Sequence, residues 1–175
     1  MPNHTANNFT ITGPKDTIMA FIERAKDKNT DERELSFNSF IPMPTELRHT
    51  TGPTRIDWCV NNWGTKWDCY EVRDWFINEV KVGRMSATIY YETAWSPVTQ
   101  FWLKVSEMYP DCEFYHEFAD EGGGFLGHET IQGGSLMHEV ELDWDSDAGI
   151  ELREGLGRYW PYEDEENVDE ATVDE

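Results

Sequence analysis

The sequence predicts an α+β fold, an antiparallel sheet with two helices on one face, and three observations predict it. Polar and apolar residues alternate over Asn8-Phe9-Thr10-Ile11-Thr12 and give way, after Gly13-Pro14, to Ile18, Phe21, Ile22 and Ala25 at helical spacing. A hairpin follows much later, with residues 75–82 and 85–93 turning at Gly83. Phe101, Trp102, Val105 and Met108 then repeat the helical stripe, and Glu113 to Phe118 returns as a strand. The order β-α-insert-β-β-α-β is the split β-α-β arrangement of ferredoxin-like folds.

Each element has a local cause. Pro14 is tolerated in the first turn of the first helix, where its missing N–H costs nothing. Leu35 to Ile41 is apolar, but Pro42-Met43-Pro44 cannot join a central strand, so Phe37, Phe40 and Ile41 are expected to pack a loop on the core. Ile56 to Trp63 reads as a short helix closed by Gly64. Cys69 to Arg73 and Trp75 to Val82 read as one strand with an irregularity near Asp74. Ser96 is a good N-cap with Pro97 at the first helical position, and Pro110 ends that helix. Phe125 to Gln132 and Ser135 to Trp144 form an added C-terminal β-hairpin across Gly133-Gly134. The chain divides into a domain over residues 1–145 with an insert at 27–68, a short helical extension at 146–162, and an acidic tail at 163–175. That tail is expected to be disordered in isolation.

The charge bounds the function. With 35 acidic against 14 basic residues the formal charge is −21, a field that repels nucleic acid and anionic membranes and favours cationic partners. Three cysteines, Cys59, Cys69 and Cys112, have no paired metal spacing, no apolar run approaches the roughly twenty residues of a membrane helix, and no signal-like stretch follows Met1. A reduced, cytoplasmic protein is expected.

The stretch Asn61-Asn62-Trp63-Gly64-Thr65-Lys66-Trp67-Asp68 concentrates two indoles, a lysine and a carboxylate. A lysine between indoles presents an ammonium through cation–π contact, which suits gripping an anion. The same residues also serve plain packing, with Gly64 as a helix cap and Asp68 accepting from backbone amides. If Trp95-Ser96-Pro97 meets this stretch in space, Asn61, Trp63, Thr65, Lys66, Trp67, Asp68 and Trp95 form a pocket rim.

His116, His128 and His138 fall on three predicted strands, but His116 shares its face with Phe114 and Phe118, and His138 with Leu136, Val140, Leu142 and Trp144, which marks them as sheet histidines. No metal ligand set and no cofactor are expected. Cys59 and Cys112 lack basic neighbours and read as small buried hydrophobes, and Ser135 lacks a nucleophile elbow. An enzyme is not supported.

The opening Met1-Pro2-Asn3, the strand end Ile11-Thr12-Gly13, Phe37-Asn38-Ser39-Phe40-Ile41-Pro42-Met43-Pro44, Trp63 to Asp68, Glu92-Thr93-Ala94-Trp95-Ser96-Pro97 and the Gly122 to Gly124 turn together resemble the Api92-like or YubB-type family. The resemblance spans roughly residues 1–143. It implies a ferredoxin-like domain of the kind carried by phages, plasmids and integrative elements, and it transfers no catalytic residue. His4-Thr5 stands where the family usually shows Trp-Cys.

Glu139, Glu141, Asp143 and Asp145 alternate, which on a strand places them on one face about 6.6 Å apart, near twice the 3.4 Å phosphate spacing of one DNA strand. Asp147 and Glu151 follow on a short helix. Together with what the resemblance implies, this pattern leads to an expected phage or mobile-element interaction protein that binds a basic, nucleic-acid-binding host surface, a DNA mimic of anti-CRISPR or anti-restriction type that inhibits a host defence complex. It would act in the host cytoplasm, without direct nucleic-acid or membrane binding. The alternative is a small-ligand-binding domain, with or without enzymatic chemistry, whose pocket lies at the Trp63 to Asp68 and Trp95 to Pro97 segments. Salt adaptation and simple solubility explain acidity too, given only six lysines.

Overall fold

A computed structural model describes residues 3–27 and 33–158. It contains one six-stranded antiparallel sheet in the order β2-β3-β1-β4-β5-β6. The first four of these are the strands of a ferredoxin-like domain, and β5 and β6 extend the sheet beyond β4. The strands are β1 (His4–Pro14), β2 (Phe76–Lys81), β3 (Arg84–Ala94), β4 (Glu113–Asp120), β5 (Leu126–Gln132) and β6 (Ser135–Glu141). The helices are α1 (Lys15–Ala25), α2 (Thr45–Arg48), α3 (Pro53–Trp63), α4 (Thr99–Ser106) and α5 (Asp147–Gly155), with a 3-10 turn at Phe37–Ser39.

β1 is the central strand, paired with β3 from His4↔Ala94 to Pro14↔Arg84 and with β4 from Thr5↔Asp120 to Thr12↔Glu113. It starts four residues before the alternation does. Thr5, Ala6 and Asn7 are all buried because both faces of the sheet are covered there, and doubly covered strands lose the alternating pattern. α1 buries Ile18, Phe21, Ile22 and Ala25, as its spacing predicts. α4 lies on the same face with Phe101, Trp102 and Val105 inward. Trp102 stacks on Phe9 at 3.7 Å, Phe114 meets Phe9 edge-on at 5.2 Å, and the Trp102 indole N–H donates to Tyr91 Oη at 2.8 Å. Rings with a satisfied polar handle thus bind helix layer to sheet.

Three local expectations are corrected. α4 begins at Thr99, and Ser96 caps nothing, because its hydroxyl donates to the Gly64 carbonyl instead. Met108 lies past the end of α4 and is 43% exposed. The strand expected from residue 69 is confined to Phe76–Lys81: Tyr70 makes a single bridge to Glu92, and Glu71, at φ 49°, leaves the extended region.

The 27–68 insert folds into the 3-10 turn, α2 and α3, and α3 stops where Gly64 turns left-handed (φ 76°) with its N–H on the Cys59 and Val60 carbonyls. Gly133 and Gly134, at φ 55° and 80°, make the β5–β6 turn with both central residues left-handed, as a type I′ turn requires. α5 packs on the face opposite α1 and α4, where Leu152 and Leu156 join Ala6, Ala119 and Leu126. Its start is capped by Ser146, whose Oγ accepts from Gly149 N at 3.0 Å. The acidic tail from residue 163 lies outside the described residues.

Candidate functional sites: an aromatic rim and an acidic edge

The Trp63 to Asp68 and Trp95 to Pro97 segments meet. Thr65, 1% exposed, donates to the Ala94 carbonyl at 2.7 Å and accepts from the Ala94 N–H at 3.2 Å. Ser96 donates to the Gly64 carbonyl across the same seam. Trp95 sits at φ 77°, rare for a bulky residue, with its N–H on the Asn3 carbonyl at 3.0 Å. This twist swings its ring over Lys66, whose Nζ lies 4.8 Å from the Trp95 ring and 4.9 Å from the Trp67 ring. Both indoles remain exposed, Trp95 at 46% and Trp67 at 37%.

The other expected rim residues divide by role. Trp63 is 3% exposed, donates to the Ile41 carbonyl at 2.9 Å and stands edge-on to Trp58 at 5.1 Å, so it is packing. Asn61 lies on the exposed side of α3, where its carbonyl accepts from Lys104, away from the rim. Asp68 is a latch: Oδ1 accepts from Phe37 N at 2.7 Å and Cys69 N at 2.9 Å, and Oδ2 accepts from Ser36 Oγ at 2.6 Å. It is also the wall shared by two clefts. One, of about 670 Å³, is bordered by His4, Arg33, Arg55, Trp67 and Tyr70. The other, of about 440 Å³, lies on the insert side toward Trp63 and Met43. An exposed cation–π contact stabilises by roughly 0.5–1 kcal/mol. With two such contacts, Lys66→Ala is expected to lower the unfolding free energy by less than about 2 kcal/mol in a urea titration. A loss above about 2 kcal/mol would make Lys66 part of the fold and remove it as a free grip.

The histidines do not converge. His116 is fully buried, with Nδ1 2.9 Å from Glu129 Oε1 and Nε2 3.0 Å from Asn7 Oδ1, and Thr99 Oγ1 donates to the other Glu129 oxygen at 3.0 Å. His128 pairs across from Glu117 and His138 across from Thr130, on the opposite face of the sheet from His116. The shared face expected for His138 and Leu136 is broken by a bulge: Ile131 pairs with Leu136 and Thr130 with His138, so Met137 is extra. Among the described residues no cluster of His, Cys, Asp or Glu has the form of a metal site. Burial pushes the thiols of Cys59, Cys69 and Cys112 up, away from the thiolate, which leaves them as buried hydrophobes.

Of the acidic side chains, Glu139 and Glu141 lie on the edge strand β6, Asp143 and Asp145 in the segment after it, and Asp147 and Glu151 on α5, which packs over β4 and β5. Glu139, Glu141, Asp143, Asp145, Asp147 and Glu151 are all exposed, and none forms an ion pair with a described residue. The bases nearby point their charge inward. Arg153, 4% exposed, donates to the Trp144 carbonyl, and Arg158 pairs with Glu92 at 3.0 Å. β6 ends at Glu141, so a strand repeat applies to Glu139 and Glu141 alone, while Asp143 and Asp145 lie in the turn that leads to α5.

The acidity extends to the phenols of the α5-side face. Burial first, then neighbouring carboxylates, pushes Tyr70 up to about 12 beside Glu92 and Glu121, Tyr90 to about 12 beside Glu92, and Tyr115 to about 12 beside Glu117. A phenol held neutral in the fold loses relative stability as the unfolded chain ionises. Unfolding free energy is therefore expected to be unaffected by these groups below pH 10 and to fall between about pH 10 and 12. Tyrosinate absorbance of the native protein should lag that of the urea-unfolded chain over the same window, and superimposable titrations would refute the reading.

Among the described residues no helix is long and apolar enough to cross a membrane. Residues 63–173 match the family model described as a ferredoxin-like domain in Api92-like protein. That match begins at the end of α3, further along than the 1–143 span over which the motifs resemble the family. No curated protein is significantly similar to the chain. The crystal structure of a protein api92 from Yersinia pseudotuberculosis resembles this one with 13% identity and a TM-score of 0.46, over 61% of this chain and 39% of that one. The chain thus spans about two fifths of that protein's length.

Proposed function

Because the chain belongs to the family of ferredoxin-like domains in Api92-like proteins, we propose that it is a phage or mobile-element interaction protein whose acidic edge docks on a basic host surface that normally holds nucleic acid. The observation that carries this reading is the run of six exposed carboxylates from Glu139 to Glu151, along β6, the segment after it and α5, none with an ion pair among the described residues while the neighbouring arginines are engaged elsewhere. Unpaired carboxylates repel one another and cost stability, and a cationic partner relieves that cost. A host nucleic-acid-handling defence complex offers such a groove, and the site of action is then the host cytoplasm. The test is capture of bacterial proteins on the immobilised chain at low and high salt, followed by elution with a DNA duplex at matched ionic strength. Proteins that bind at low salt and are displaced by DNA support the decoy; captured proteins indifferent to both overturn it. A chain ending at Arg158 separates edge from tail, and the cut must not come earlier because α5 buries Leu152, Arg153 and Leu156.

A second reading, binding of a small ligand at the aromatic rim, is favoured by the exposed sandwich of Lys66 between Trp67 and Trp95 beside the 670 Å³ cleft. Lys66→Ala or Trp67→Ala then removes ligand without unfolding the protein, while neutralising the acidic edge changes nothing.

A further inference from the structure

Two clefts beside the insert gather the opposite charge. Five of the chain's 14 lysines and arginines, Arg24, Lys26, Arg33, Arg48 and Arg55, line two adjoining clefts of about 320 and 440 Å³ that share Arg48. In a molecule of charge −21 this is a local reversal, and at physiological salt a Debye length of about 8 Å lets nearby groups set the potential.

The arginines are not equivalent. Arg33 is spent inside the fold: one guanidinium nitrogen donates to the Cys69 carbonyl at 2.9 Å and the other to Asp27 at 3.1 Å, 3.8 Å from Asp68. The Asp68 oxygens are in turn taken by Ser36, Phe37 and Cys69. The two carboxylates of the larger cleft are thus engaged. Arg48 and Arg55 have no carboxylate partner among the described residues. Each is steadied by one bond to backbone, Arg48 Nε to the Met43 carbonyl at 3.1 Å and Arg55 to the Thr50 carbonyl at 3.3 Å, which leaves the rest of each fork unpaired. His49 borders the same cleft. The apolar wall is thin, since Met43 and Trp63 are each 3% exposed, so recognition here is by charge and fork geometry and not by stacking.

We propose that the cleft between the 3-10 turn, α2 and α3 binds a phosphate group, inorganic or carried on a small phosphomonoester, through Arg48 and Arg55. Two pre-oriented guanidinium forks facing one space match the several oxygens of a phosphate dianion, which accepts paired N–H donors. The site shares Trp63 and Asp68 with the aromatic-rim reading, and Arg33 and Arg55 also border the 670 Å³ cleft beside that rim, but Arg48 does not, and the site needs neither Lys66 nor the acidic edge.

The test is calorimetric titration of the full chain with inorganic phosphate and with glycerol phosphate, each against sodium chloride at matched ionic strength. A saturable signal for phosphate that chloride does not give, weakened at least tenfold in R48A/R55A and unchanged in K66A, is expected. R48K/R55K keeps the charge but not the forks and should bind with an intermediate loss, provided its unfolding midpoint matches the parent. Tighter binding of glycerol phosphate marks an ester as the occupant, and preference for inorganic phosphate marks the free ion. The proposal is overturned if neither phosphate saturates the protein, if chloride gives the same signal, or if R48A/R55A binds as the parent does.

Discussion

Asp68→Ala is expected to destabilise the protein by about 3 kcal/mol, because it orphans groups that water cannot reach. The carboxylate accepts from Phe37 N, Cys69 N and Ser36 Oγ, and Phe37, Cys69 and Ser36 are each 0% exposed. Leaving a buried donor unpaired costs roughly 1–3 kcal/mol, and the Ser36 hydroxyl can rotate to another acceptor, so two amides dominate the loss. The consequence spreads through Phe37, which is the insert's anchor on the core, 4.3 Å from Phe101 and edge-on to Tyr91 and Trp102. Asp68→Asn retains one acceptor oxygen and should cost about half as much. Urea unfolding of the two variants beside the parent measures both, and a loss under about 1 kcal/mol for Asp68→Ala would release Asp68 from this role and return it to the candidate ligand groups. The result also governs how the clefts are probed, because any ligand lost in an Asp68 variant is lost together with their common wall.

What was legible in the sequence follows from how far each signal reaches. The α1 stripe of Ile18, Phe21, Ile22 and Ala25 and the Gly133-Gly134 turn are written in adjacent residues, and the structure has them where the spacing places them. The meeting of Trp63 to Asp68 with Trp95 to Pro97 was readable only as a condition, since the β2–β3 hairpin had to bring them together. Ser96 misled because a good capping residue was recruited by Gly64, thirty-two positions away. The alternation marks β1 only from Asn8 because burial on both faces erases it over Thr5, Ala6 and Asn7. The Met137 bulge flips His138 away from Leu136, and no spacing rule foresees one extra residue. No sequence signal marks the cleft arginines: Arg33, Arg48 and Arg55 follow no motif, and only the folding of the insert assembles them.

The acidic edge yields the larger of the expected binding effects. Replacing Glu139, Glu141, Asp143 and Asp145 by their amides is expected to weaken a captured basic partner by about 10⁴-fold. Close interfacial charge pairs couple by about 1.5 kcal/mol at the low end, and four of them amount to about 6 kcal/mol. The fold should not suffer, because these side chains are exposed, have no ion pair among the described residues, and repel one another. Equal or higher unfolding free energy in the quadruple variant is therefore part of the prediction, and it separates a docking edge from a structural one. Raising salt from about 50 to 200 mM should weaken the parent steeply and the variant much less, since the variant keeps only Asp147 and Glu151 of the six carboxylates that salt screens. If instead both proteins unfold at low salt and recover in high salt, the acidity is an adaptation to a saline cytoplasm. If affinity, salt dependence and stability are all indifferent to the four amides, the edge is a solvated surface and the functional weight passes to the clefts at Asp68.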